Sequence, residues 1–106
     1  MNKALFQLHA EVCKTLANPK RLEILDLLRD GELNVSDLVS QMRVSKANVS
    51  QHLAVMRRAG IVGTRRDGAN VYYRVSNPKV TKACELMREV LTEHHSRTQK
   101  ILKQQR

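Results

Sequence analysis

The stretch NVSDLVSQMRVSKANVSQHLAVMRRAG, residues 34–60, decides how this chain is read. Asn34 is a helix N-cap candidate, and Asp37 three residues later makes a variant of the capping box. That start opens a short helix of about two turns. Arg43-Val44-Ser45 is too short to be anything but a tight turn. Ser45 then caps a second helix from Lys46 to Ala59, which Gly60 closes. Two short helices joined in this way form a helix-turn-helix pattern, here spanning 34–59.

Working outward toward the N-terminus, Leu5, Leu8, Val12 and Leu16 recur at helical spacing and predict a first helix over 3–16, with Cys13 beside Val12. Asn18-Pro19 ends it and starts another, Asn18 as cap and Pro19 at the first helical position. That helix is apolar at Leu22, Ile24, Leu25, Leu27 and Leu28, so it is expected at the centre, and Asp30-Gly31 ends it. In the other direction the period changes to two after Gly60. Val62, Thr64 and Arg66 alternate with Ile61 and Arg65, and Val71, Tyr73 and Val75 alternate with Tyr72 and Arg74. The turn signal Asp67-Gly68-Ala69-Asn70 between them makes 61–76 a two-stranded β-hairpin. Asn77-Pro78 opens a last helix over 78–96, apolar at Val80, Ala83, Cys84, Met87, Val90 and Leu91. Residues 97–106 read as a polar tail. The fold class is α+β, mainly helical, in a single domain over 1–106: about five helices plus the hairpin.

The 106 residues hold 19 Lys+Arg against 10 Asp+Glu, a formal +9, and the excess is uneven. Residues 1–42 carry a net −1. Residues 43–74 carry Arg43, Lys46, Arg57, Arg58, Arg65, Arg66 and Arg74 against Asp67 alone. A basic cluster confined to one segment is the footprint of a surface that meets a polyanion. With Phe6, Tyr72 and Tyr73 the only aromatics, a base-stacking platform for single strands is disfavoured, and double-stranded DNA is the expected partner. No apolar run is long enough for a membrane span, and Met1-Asn2-Lys3-Ala4-Leu5 begins no signal segment, so a cytoplasmic location without membrane attachment is expected. Two cysteines suit a reducing compartment and make no disulfide framework.

At 100° per residue, Val49, Leu53 and Met56 of the 46–59 helix fall on one face and are expected to be buried. The opposite side presents Ala47, Gln51 and Arg58, flanked by Asn48, Ser50 and Ala54. Asn and Gln can pair with adenine edges and Ala47 can meet a thymine methyl. Ser45, Lys46, Ser50 and the helix N-terminus suit phosphates. His52 counts among the residues of this DNA-reading helix, and Arg65 and Arg66 on the hairpin suit the narrow minor groove.

These runs resemble a known family. Ala17-Asn18-Pro19-Lys20-Arg21-Leu22-Glu23-Ile24-Leu25, Val49-Ser50-Gln51-His52-Leu53 with Arg57-Arg58-Ala59-Gly60-Ile61-Val62, and Arg65-Arg66-Asp67-Gly68 with Val71-Tyr72-Tyr73-Arg74-Val75 look like the ArsR/SmtB winged helix-turn-helix repressors. The resemblance implies a homodimer built on the first and last helices, 1–16 and 78–96. It implies binding to an imperfect inverted repeat in an operator, and release by an inducer. The apolar stripes of those two helices, larger than a small winged core could cover, agree.

What is sensed stays open. Where metal-sensing members of the family carry a Cys-x-Cys pair, this chain has Asn34 and Ser36. At positions matching the zinc ligands of other members it has Asn77, Lys79, Val90 and Glu93. Cys13 and Cys84 can be small core hydrophobes, the two thiols of an oxidation- or sulfur-sensitive switch meeting at the dimer interface, or, with His9, ligands of a metal ion at a non-standard site. No certain cofactor is implied. An enzyme is not expected: there is no glycine-rich phosphate loop, no His-Glu-x-x-His and no nucleophile constellation. The alternative to an inducible repressor is an architectural double-stranded DNA-binding protein that senses nothing.

Overall fold

The computed structural model describes residues 2–94. The expected tail at 97–106 and the end of the expected last helix lie outside the described residues. Five helices and three strands follow in the order α1 (Lys3–Leu16), α2 (Pro19–Leu27), β1 (Leu33–Asn34), α3 (Val35–Met42), α4 (Lys46–Arg58), β2 (Val62–Asp67), β3 (Asn70–Val75) and α5 (Pro78–His94). Each of the first four helices begins where its sequence supplies a cap. Asn2 accepts from the Ala4 amide at 2.8 Å, and Asn18 accepts from those of Lys20 and Arg21 at 2.9 and 3.2 Å, with Pro19 at the first position. Asn34 and Asp37 close a reciprocal capping box, and Ser45 Oγ accepts from the Asn48 amide at 3.1 Å. Such caps satisfy backbone donors that have no partner inside the helix.

The expected hairpin is present as β2 and β3, and among the described residues the two-residue β1 adds to it, giving an antiparallel sheet in the order β1-β3-β2. β1 pairs Leu33 with Tyr73 and Asn34 with Tyr72, while β2 and β3 pair from Val62–Val75 to Asp67–Asn70. Two residues are too short to show a period of two, so β1 left no pattern to read. Its consequence is mechanical, because Asn34 ends β1 and caps α3, tying the wing to the helix-turn-helix. At the hairpin tip Gly68 takes a positive φ of 61° at the first central position of a two-residue turn, which a side chain would resist.

α2, α3 and α4 pack around one core. Ile24, Leu25 and Leu28 come from α2 and the residue capping it, Leu38 and Met42 from α3, Val49, Leu53 and Met56 from α4, and Ile61 and Val62 from the entry to β2. Burying each large aliphatic side chain stabilises the fold by about 1.5–3 kcal/mol. The face of α4 expected to be buried is the buried one. α1 contributes no fully buried residue; Val12 and Leu16 only pack on the rim of the core. Leu5, Phe6 and Leu8 of α1, and Leu86, Met87, Val90 and Leu91 of α5, stay about half exposed or more. Among the described residues no helix is long and apolar enough to cross a membrane.

Candidate nucleic-acid interface

With Val49, Leu53 and Met56 turned inward, α4 presents Ser45, Lys46, Ala47, Ser50, Gln51, Ala54, Arg57 and Arg58 to solvent. Four of these are small and two are amide or hydroxyl side chains without a local partner to hold them, so the face is thin enough to approach a groove closely. The N-terminus of α4 aims free backbone N–H groups outward beside Lys46, an arrangement that favours a phosphate. The preceding turn needs Arg43 at φ 58°, a left-handed conformation unusual for a residue with a side chain.

Two expected contact residues are less exposed than this face. Asn48 and His52, one turn apart on the flank of α4, are half-buried. Asn48 Oδ1 is shielded from solvent and has no hydrogen-bond partner. His52 Nδ1 accepts a hydrogen bond from Arg21 Nε of α2 at 3.1 Å. Burial, together with the charges of Arg21 and Lys20, holds the imidazole below the ordinary histidine range, which favours its neutral form. The helical wheel placed Asn48 beside the solvent face; the structure sets both residues at the edge of the core, with Arg21 of α2 packed on His52.

On the wing, Arg65 and Arg66 point to opposite faces, as neighbours on a strand must. Arg66 is exposed near the tip. Arg65 stands over the ring of Tyr72, 4.9 Å from its centroid, and its guanidinium is bidentate to Glu32 at 2.6–3.1 Å. The hydrogen bond from Arg65 holds the Glu32 carboxyl below its usual range. Arg65 is therefore a brace of the wing as it stands, held by Glu32 and Tyr72. Arg74 donates to the Thr64 carbonyl at 3.1 Å, lying against Gly63, where a Cβ would sit 3.3 Å from the guanidinium.

Cys13 is exposed and Cys84 half-buried, both as free thiols. They line one cleft of about 470 Å³ between α1 and α5, with His9 and Lys79 and with the apolar Leu16 and Val80. They share this cleft within one protomer rather than only across an interface. Among the described residues of one protomer no three His, Cys, Asp or Glu side chains come together to hold a metal ion. Cys84 also borders a second cleft beside Asp26 and Arg88, which are paired at 3.1 Å.

The arrangement has counterparts among known proteins. The model of the family described as "Bacterial regulatory protein, arsR family" matches residues 18–64. The HTH-type transcriptional regulator Rv0081 of Mycobacterium tuberculosis is 40% identical over 91 residues, which cover 85% of this chain and 80% of that one. The chain belongs to the ArsR family. The crystal structure of Rv0081 superposes with a TM-score of 0.79 at 38% identity, covering 92% of this chain and 98% of that one. The transcriptional activator HlyU of Vibrio cholerae is 43% identical over 74 residues, 70% of this chain and 68% of HlyU. The homodimeric winged helix-turn-helix DNA-binding domain Mb0332 of Mycobacterium bovis superposes with a TM-score of 0.78 at 36% identity, covering 86% of this chain and 84% of that one.

As an ArsR-family winged helix-turn-helix, the chain uses two residues that sequence reasoning passed over. Arg21 was read only as part of a family signature, and Glu32 was given no role. Their partners lie 31 and 33 residues away, and nothing local in the sequence announces such pairs.

Proposed function

We propose that this protein is a homodimeric, sequence-specific repressor of transcription in the cytoplasm, with no catalytic activity, that binds an imperfect inverted repeat of double-stranded DNA. The observation that carries this is the exposed face of α4, thin and polar behind a fully buried Val49-Leu53-Met56 seam. α4 enters the major groove, where Gln51 reads a base edge and Ala47 meets a thymine methyl. Ser45, Lys46, Ser50 and Arg58 hold the flanking phosphates, and Arg66 extends the wing toward the next groove. The half-exposed apolar side chains of α1 and α5 supply the twofold surface, in keeping with the homodimeric Mb0332 domain.

Release follows oxidation of Cys13 and Cys84 across the α1–α5 cleft. An organic disulfide takes two electrons and two protons from the two thiols and leaves as two thiols, and the new S–S bond joins α1 to α5. The test is fluorescence anisotropy of the reduced protein with its own upstream DNA and with a scrambled duplex, before and after oxidised glutathione. A preference of about a thousandfold or more for upstream DNA, lost on oxidation and kept in Cys13→Ser, is expected. Equal affinity for both duplexes would favour the architectural reading instead. Strong preference unaffected by oxidant would return the cysteines to the core. A reporter assay sets the sign of regulation, since HlyU is named an activator.

A further inference from the structure

Arg21 is the side chain through which three helices meet. Its own amide is capped by Asn18 at 3.2 Å. One guanidinium nitrogen donates to the Thr15 carbonyl at the end of α1 at 3.1 Å, and Nε donates to His52 Nδ1 on α4 at 3.1 Å. Thr15 is two residues from Cys13 and next to Leu16, both on the α1–α5 cleft. His52 is next to Gln51 on the exposed face of the helix. The last turn of α1, the start of α2 and the middle of α4 are thus fixed by one half-buried planar group with donors in a rigid fork.

We propose that Arg21 is a positioning residue that locks the DNA-reading helix to the end of α1, acting through a single tautomer of His52 with Nδ1 bare and Nε2 protonated. The tautomer follows from the bond itself, because a nitrogen that accepts from a guanidinium cannot also carry a proton. One guanidinium serves both neighbours from one plane. A lysine keeps the charge but is a single point, and it cannot span Thr15 and His52 with the same geometry. The role rests on the reading of α4 as the DNA-facing helix. It predicts that breaking the bond spoils the register of α4 against bases while leaving attraction to phosphates intact.

The first experiment is NMR of the imidazole nitrogens of the intact protein. The expected pattern assigns the proton of His52 to Nε2, and a proton on Nδ1 near neutral pH overturns the proposal without any variant. The second measures affinity for upstream and scrambled DNA in Arg21→Lys, His52→Leu, the double variant and His52→Gln, each checked for its thermal midpoint. Arg21→Lys and His52→Leu are expected to lose upstream affinity by about tenfold, or about 1.4 kcal/mol, with scrambled DNA unchanged. The double variant loses no more than either single one, because the two residues act as one unit. His52→Gln, whose carbonyl can still accept from Arg21, retains most of the affinity. Additive losses, or equal losses on both duplexes, would overturn the lock. If no duplex shows preference even for the wild-type chain, the DNA-facing reading of α4 fails instead, while the tautomer result still stands or falls alone.

Discussion

Arg65 reaches across β3 to Glu32, donating from Nε at 2.9 and 3.1 Å and from Nη2 at 2.6 Å. Tyr72, directly opposite Arg65 in the β2–β3 register, lies beneath the guanidinium. The pair ties the first wing strand to the residue before β1, and so to the cap of α3. Both partners are exposed, which limits what the pair adds to global stability, but it bridges the wing to the start of β1. Arg65→Ala is therefore expected to loosen the wing, and Glu32→Gln to do so more weakly, seen as faster amide exchange in β2 and β3. Arg66→Ala should leave exchange unchanged and lower the slope of log affinity against log salt by about one unit, the loss of one phosphate contact. An equal salt effect in Arg65→Ala and Arg66→Ala would mean that Arg65 leaves Glu32 for the DNA.

His52 gives the fold a pH dependence of known sign. Burial, then Arg21, then Lys20 depress its folded pKa below the ordinary value, so the unfolded chain binds the proton more readily. The contribution to stability is complete above the unfolded pKa of about 6.5 and is lost as pH falls toward the folded value. Thermal midpoints measured from pH 7.5 down to pH 5, on the order of one pKa span on either side of the unfolded value, should fall in the wild type. They should fall less in His52→Gln, which has nothing to protonate there. Parallel curves would place the pH effect elsewhere.

Gln51 and Asn48 separate the readings of the α4 face. Gln51 is exposed, whereas Asn48 Oδ1 is shut away without a partner. Gln51→Ala should relax base preference at one position in each half-site, a loss of about 1–3 kcal/mol of discrimination. Asn48→Ala should leave the base profile nearly intact and cost little stability, since it removes an unsatisfied buried acceptor. A selection experiment on randomised half-sites checks both. Relaxation by Asn48→Ala alone would show that Asn48 turns outward on DNA.

Helix starts were legible in the sequence because each is a local event. Asn18, Asn34 and Ser45 sit within three residues of the amides they cap, and the Val49-Leu53-Met56 spacing is a property of one helix. The two-residue β1 was not legible, since a pairing with Tyr72 and Tyr73 depends on where the chain returns. The same limit hid Arg21–His52 and Arg65–Glu32. The half-burial of Asn48 and His52 was hidden for a related reason: a wheel divides one helix into faces but cannot tell how far neighbouring elements cover its flank. For Cys13 and Cys84 the sequence left a core role, a thiol pair and a metal site open, because the cleft they line within one protomer comes from the packing of α1 beside α5.

Leu53 measures the core that holds α4 in place. Its side chain is fully buried among residues of α2, α3 and the start of β2. Leu53→Ala should destabilise the fold by about 2–5 kcal/mol, the removed methyl groups plus the cavity they leave. Denaturant unfolding should show a lower midpoint with an unchanged slope. Ala54→Ser, one residue along on the exposed side, should leave the midpoint within about 0.5 kcal/mol of wild type.

Phe6 tests the twofold surface. Its side chain is 52% exposed in one protomer, so within a lone chain Phe6→Glu removes little packing. On a covered surface it places a charge where apolar groups meet, which is costly without a partner. Leu91→Glu, at 50% exposure on α5, makes the same test from the other helix. Sedimentation should show the wild type as a dimer and each variant shifted toward monomer, with circular dichroism at low temperature unchanged. Operator affinity should fall steeply in both, because one half-site no longer brings the other within reach. Dimers persisting in both variants would move the twofold surface off α1 and α5.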